Sequence, residues 1–104
     1  MKVYTGISRV FCGVYATDHD GKVRLLDPRL DLVSHSPTDF AWGYDGSGPS
    51  QPALALLADV YDDQSALGAS QAFKWAWVAK LPQDQGWEIT DDEIRRIVAR
   101  LGDD

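Results

Sequence analysis

SPTDFAWGYDGSGPSQPALALL, residues Ser36–Leu57, is where the chain changes character. Two aromatics flank a glycine in Trp42-Gly43-Tyr44, a Gly46-Ser47-Gly48-Pro49 turn follows, and then the apolar run Ala53–Ala58 begins. A glycine-rich turn that feeds a helix has three readings: a ligand cradle, a partner-binding knuckle, or a tight entry into the core. Residues on either side of the stretch decide how much each reading must explain.

Towards the C-terminus, Pro49 and Pro52 fit the first turn of a helix, where a missing N–H costs little. Ser50 has the hydroxyl of an N-cap. From Ala53 to Tyr61, one face carries Leu54, Leu57, Ala58 and Tyr61, but Leu56 and Val60 fall outside it. A helix apolar nearly all round is expected to lie buried at the centre. Asp62-Asp63 ends it and supplies an N-cap for a second helix, Gln64 to Leu81. Phe73, Trp77 and Leu81 recur at spacing four on its core side, with Leu67 and Val78 beside them. Trp75 points the opposite way, among Gln64, Gly68, Gln71 and Ala79. That back face is either a contact surface or a second packing side laid against the N-terminal strands.

Pro82 to Gly86 reads as a loop and Trp87 to Ile89 as a short strand. Thr90-Asp91-Asp92-Glu93 fits a capping box, in which the Thr90 and Glu93 side chains satisfy each other's backbone N–H groups. Ile94, Ile97, Val98 and Leu101 then form an i, i+3, i+4, i+7 stripe. Arg95, Arg96 and Arg100 face outward, and Gly102 stops the helix.

Towards the N-terminus, Lys2–Thr5, Val10–Thr17 and Lys22–Leu26 read as strands, with a turn at Asp18-His19-Asp20-Gly21. In the third, Val23 and Leu25 share one face and Arg24 takes the other; Asp27-Pro28 ends it. Leu30, Leu32 and Val33 add a short extended piece before His35-Ser36-Pro37. The expected fold is therefore α+β. An antiparallel β-meander of about three strands (1–35) joins through a Gly/Pro-rich connection (36–52) to about three helices (53–104) in one domain.

Composition narrows the function. The chain has 104 residues, 44% hydrophobic and 25% charged, as in one ordinary folded domain. No apolar run approaches the roughly 18 residues of a membrane span, and the N-terminus lacks a continuous apolar leader segment, so a cytoplasmic address is expected. A single cysteine, Cys12, excludes an internal disulfide and a cysteine-rich zinc site; it reads as a small strand residue before it reads as a reactive thiol. Net charge is −6, from 16 acids against 10 bases. Such a surface repels nucleic acid and anionic lipid, but it suits a basic groove on another protein, or simply keeps the chain dissolved.

Catalytic patterns are weak. His19 and His35 are the only histidines, and no spacing suits a transition metal; Asp18, Asp20 and Asp91–Glu93 lack calcium-loop spacing. His35 is badly placed to activate the adjacent Ser36, despite Asp39 and Asp45 nearby, and Ser47 sits in no nucleophile elbow. An anion cradle is the best of the ligand readings: Gly43, Gly46 and Gly48 leave backbone uncovered, and Trp42 and Tyr44 could stack on a base. Against it, no Lys or Arg lies between Arg29 and Lys74, Asp39 and Asp45 add negative charge, and two prolines remove donors.

The quoted block resembles that of an uncharacterised family of small proteins from bacteria, archaea, phages and mobile elements, of the form S-P-x-G-F-x-W-G-Y-x-G-S-G-P-x-Q-x-A-L-A-L-L. The matching residues are Ser36, Pro37, Phe40, Trp42, Gly43, Tyr44, Gly46, Ser47, Gly48, Pro49, Gln51 and Ala53–Leu57, with Asp39 and Pro52 as departures. The resemblance implies a mobile-element setting and no established activity. The leading expectation is a non-enzymatic protein without cofactor or metal, an anti-CRISPR or other anti-defence inhibitor. Its acids would imitate nucleic-acid phosphates in the basic groove of a host defence complex. Its candidate contacts are Asp62, Asp63, Trp75, Asp91, Asp92 and Glu93. The alternatives are a small-ligand or nucleotide binder using Trp42, Tyr44, Gly46, Ser47, Gly48 and Ser50, and a structural or assembly protein. The sequence leaves the oligomeric state open, with a monomer favoured.

Overall fold

Alternating strand-forming residues in the first quarter of the chain build a sheet, and the closing Trp87–Thr90 segment completes it. The computed structural model describes residues 1–8, 12–34, 40–44, 46–83 and 85–101. Strands β1 (Val3–Ser8), β2 (Cys12–Thr17), β3 (Val23–Leu25) and β4 (Trp87–Thr90) form one antiparallel sheet in the order β3-β2-β1-β4. Helices α1 (Ser47–Val60), α2 (Asp63–Ala76) and α3 (Asp91–Leu101) complete an α+β fold. The meander is as expected, and the late Trp87 strand joins it as a fourth member beside β1.

Register explains the core. Strand residues alternate between two faces, and the pairing lines up two inward rows: Arg24–Ala16–Tyr4–Ile89 and Val14–Gly6–Trp87. Tyr4, Val14, Ala16 and Ile89 are buried. Above them lies α1, buried continuously from Gly48 to Leu57, so the all-round apolar pattern does mark a central helix. Burying Leu54, Leu56 and Leu57 contributes about 1.5–3 kcal/mol each. The other sheet face carries Val3, Thr5, Ile7, Tyr15, Thr17, Val23 and Leu25, with Glu88 and Thr90 on β4.

Aromatics close the β4 edge. Trp87 meets Trp42 edge-on at 5.4 Å and Trp77 edge-on at 5.2 Å, and Trp77 stacks on Phe73 at 5.9 Å. The Trp87 indole lies directly over Gly6, where an added Cβ would come within 2.2 Å of it. Trp42 donates its Nε1–H to Gln85 O at 3.0 Å. Trp87 Nε1–H is buried and finds no acceptor among the described residues; its ring packs against Trp42, Trp77 and Gly6.

Several expectations need correcting. Ser50 is not an N-cap: α1 begins three residues earlier, Gly46 holds the cap position without a side-chain bond, and the buried Ser50 hydroxyl donates back to Gly46 O at 3.0 Å. Pro52 consequently sits beyond the first turn. The second helix ends at Ala76, followed by a separate 3-10 turn at Val78–Lys80. Pro82 disfavours helical backbone at Leu81, which is extended, and Gly43 N–H captures Val78 O at 3.0 Å. Leu67 is exposed, because the core stripe of α2 is Ala66, Ser70, Phe73 and Trp77. Leu30 and Leu32 form a turn instead of an extended piece: Arg29 has φ 56°, and Leu32 N–H donates to Arg29 O at 3.0 Å. Val10, the expected strand start, and His35, Ser36, Asp39, Asp45 and Gly102 lie outside the described residues.

Candidate binding surface

Helix capping puts carboxylates at two helix starts, and tertiary contacts bring those starts together. Asp62 caps α2, accepting Ser65 N–H at 2.7 Å; that backbone N–H holds its carboxyl below the ordinary value. The capping box forms as expected: Glu93 N–H donates to Thr90 Oγ1 at 3.2 Å, and Glu93 Oε1 accepts Thr90 N–H at 3.3 Å. Asp91 is buried, with Oδ1 accepting Asp92 N–H at 2.9 Å. Burial pushes its carboxyl up, but backbone N–H groups and Arg95 outweigh this and the net direction is downward. Asp91 N–H donates to Lys2 O at 3.1 Å, and Lys2 Nζ lies 3.5 Å from Asp59, near the end of α1 and three residues before Asp62. Asp59, Asp62, Asp63, Asp91, Asp92 and Glu93 therefore share one end of the molecule.

Cations hold this end together without neutralising it. Arg24 donates to both oxygens of Asp59 at 2.9 and 3.0 Å and also reaches Asp18 at 3.1 Å. Tyr4 donates its hydroxyl to Asp59 at 2.6 Å. Burial first, and that bond second, raise the Tyr4 phenol far above its ordinary value. Arg29 bridges Asp31 at 3.0 Å and Asp63 at 3.1 Å. Arg95 lies 3.4 Å from Asp91 and from Asp92. The guanidinium groups of Arg24 and Arg29 hold Asp18 and Asp31 below the ordinary carboxylate range.

Not every predicted contact belongs here. Trp75 is 60% exposed, so its face of α2 is open, with Lys74 Nζ 5.5 Å from the ring centroid. But it lies twelve residues along α2 from Asp63, roughly 18 Å at the helical rise. The acids and the tryptophan are two places, not one patch.

The glycine loop is filled from within. The Tyr44 ring lies against Gly46 and Gly48, and an added Cβ on Gly48 would fall 2.2 Å from its hydroxyl and 2.9 Å from Ala41 Cβ. Gly43, at φ 86°, brings its backbone against Leu81 O, where a Cβ would fall 2.5 Å away. Trp42 is buried, Ser50 is buried, and Ser47 remains exposed. The glycines make room for Tyr44 and the 81–83 segment. Among the described residues, no group of three His, Cys, Asp or Glu side chains could hold a metal ion, and no helix is long and apolar enough to cross a membrane.

A model of the family of unknown function DUF6166 matches residues 4–100 of the 104. The chain belongs to that family. The match to DUF6166 reaches every strand and helix and both surfaces described above, and the family's description names no activity. Comparisons with curated proteins and with solved structures find no match.

Reasoning from sequence missed the Arg24–Asp59–Tyr4 cluster. One clue was present: Asp59 is a lone charge in the otherwise apolar stretch Ala53–Tyr61. A carboxylate so placed needs a partner across the fold.

Proposed function

We propose that this chain is a non-catalytic protein-binding protein whose acidic end seats in the basic groove of a nucleic-acid-handling protein. The observation that carries this reading is convergence: Lys2 links the start of α3 to Asp59 near the end of α1, which sets the exposed acids Asp62-Asp63 and Asp92-Glu93, about thirty residues apart in sequence, at one end of the fold, with Asp91 buried beneath them. Capping bonds hold the side chains of Asp62 and Glu93, so those two lose little freedom on docking. Negative charge gathered at one end favours a basic groove and speeds encounter with it. In the mobile-element setting that the sequence resemblance implies, such a partner is a host defence complex, and occupying its groove blocks it in the anti-CRISPR manner. Trp75 forms a separate contact, engaged only by a partner that reaches along α2.

The test is retention of nucleic-acid-handling complexes on the immobilised chain at physiological salt. Charge reversal at Asp62 or Glu93 would also remove a helix cap. A cleaner variant combines Asp62→Ser, Asp63→Asn, Asp92→Asn and Glu93→Gln, since serine still caps and glutamine still completes the box. It takes the net charge from −6 to −2 (−6 plus four). Retention lost in this variant, and competed by DNA or RNA, supports the reading. Unchanged retention, or no basic protein retained by the native chain, overturns it.

A further inference from the structure

We propose that β3 is a strap held shut by charge, able to open from β2 as a unit while the rest of the fold stays closed. Its two apolar side chains face away from the helices: Val23 is 64% and Leu25 68% exposed. Its one inward residue, Arg24, reaches across the small Ala16 to Asp59 on α1 and to Asp18 at the end of β2. Strand β3 thus adds no apolar side chain to the core. Opening it gives up a three-residue pairing and the Arg24 clamp.

The neighbouring chain supplies the hinges. Leu26 is buried and donates its N–H to Val14 O at 3.0 Å. Beyond it, Gln51 in α1 donates to Pro28 O and to Val33 O, so the 28–33 segment stays anchored to the helix. On the other side, the turn is closed locally by Gly21 N–H to Asp18 O at 3.0 Å and needs nothing from the core. Once open, the strap leaves the β2 edge unpaired, a surface that extended chains can join.

The charged and titratable groups facing Arg24 come from every neighbouring element: Asp18 from the turn, Asp59 from α1, and Lys2 and Tyr4 from the β1 side. Asp91 at the start of α3 acts on Tyr4, and His19 acts on Asp18. Arg24 is partly exposed, so salt screens this clamp as it would not screen apolar packing. The strap loosens when salt rises or the Asp18 carboxylate is protonated.

Amide hydrogen exchange decides it. Asp18 N–H bonds to Lys22 O and Leu26 N–H to Val14 O, so alternation along an antiparallel ladder makes Ala16 and Arg24 a mutually bonded pair. The Asp91 N–H to Lys2 O bond likewise makes Tyr4 and Ile89 a bonded pair, in the same row of the sheet. Raising salt from roughly 0.05 to 1 M should speed exchange at Ala16 and Arg24 about tenfold relative to Tyr4 and Ile89. Arg24→Met, which keeps the aliphatic stem, should give that acceleration at low salt and abolish the salt response. Asp18→Asn repeats the comparison from the exposed side of the clamp, should the first variant fold poorly. Equal exchange rates at both pairs under all conditions overturn the strap, as does equal acceleration of both pairs by either variant.

Discussion

The two edges of the sheet are held by opposite kinds of chemistry. At β4, Trp87 and Ile89 turn inward, and the indole is boxed between Gly6, Trp42 and Trp77. At β3, the apolar residues turn outward and an arginine turns in. The first edge is held by shape, which salt and pH are expected to leave unchanged; the second is held by charge, which the proposed strap makes sensitive to both. A single small sheet can therefore have one edge that stays and one that yields.

Perturbing the tryptophan edge should have the largest effect. Trp87→Ala is expected to cost about 3 kcal/mol or more, measured by urea unfolding, because removing a packed indole leaves a cavity between two other rings. Gly6→Ala attacks the same contact from below. Its added methyl falls within 2.2 Å of the indole, and a loss of about 1–3 kcal/mol is expected. If Gly6→Ala were neutral, Trp87 would have room to move and the boxed-edge description would fail.

Perturbations at the charged edge should be smaller and conditional. Tyr4→Phe removes the buried hydroxyl bond to Asp59 and should cost about 1 kcal/mol at neutral pH. Because the Tyr4 phenol is raised in the fold, its share of stability is complete below pH about 10 and is lost as pH climbs above that value. Thermal melts between pH 9 and 11 (roughly the range of free tyrosine) should therefore show a decline that Tyr4→Phe lacks. Asp18, Asp31 and Asp62 are depressed, so their contribution is present above the ordinary carboxylate range of about 4 and disappears as pH falls below it. Arg24→Met should cost less than about 1 kcal/mol, and it should flatten the acid limb contributed by Asp18. A large global loss at neutral pH would erase the contrast between the edges.

The smallest effect belongs to Trp75→Ala, expected within about 0.5 kcal/mol of the native chain by the same unfolding measurement. A larger loss would mean that this exposed ring contributes to the fold and does not simply wait on the surface.

What the sequence made legible was local. Thr90 and Glu93 are three residues apart, and their capping box is visible without knowing anything else about the chain. Asp62 announces the start of α2 for the same reason. The central place of α1 could be read because its leucines leave no polar side. Other features depend on contacts distant in sequence. Alternation in Val23-Arg24-Leu25 separates two faces but cannot say which one the helices cover; Asp59, thirty-five residues on, decides that. The packing of Tyr44 over Gly48 could not be read from the glycines alone, and the role of Gly6 depends on a strand pairing that spans most of the chain. For the binding surface, the acids were each identifiable, whereas their meeting at one end and their separation from Trp75 were not.

The distribution of the four tryptophans gives the molecule its own optical label. Trp42 is buried, Trp42, Trp77 and Trp87 touch ring to ring, and Trp75 stands alone on α2. A soluble quencher such as iodide should reach Trp75 first, while the coupled indoles should dominate the near-ultraviolet circular dichroism. Emission and dichroism then report on separate regions: one on whatever covers α2, the other on whether the β4 edge is closed. Partner binding and loosening of the core can be told apart in one cuvette without attaching a dye.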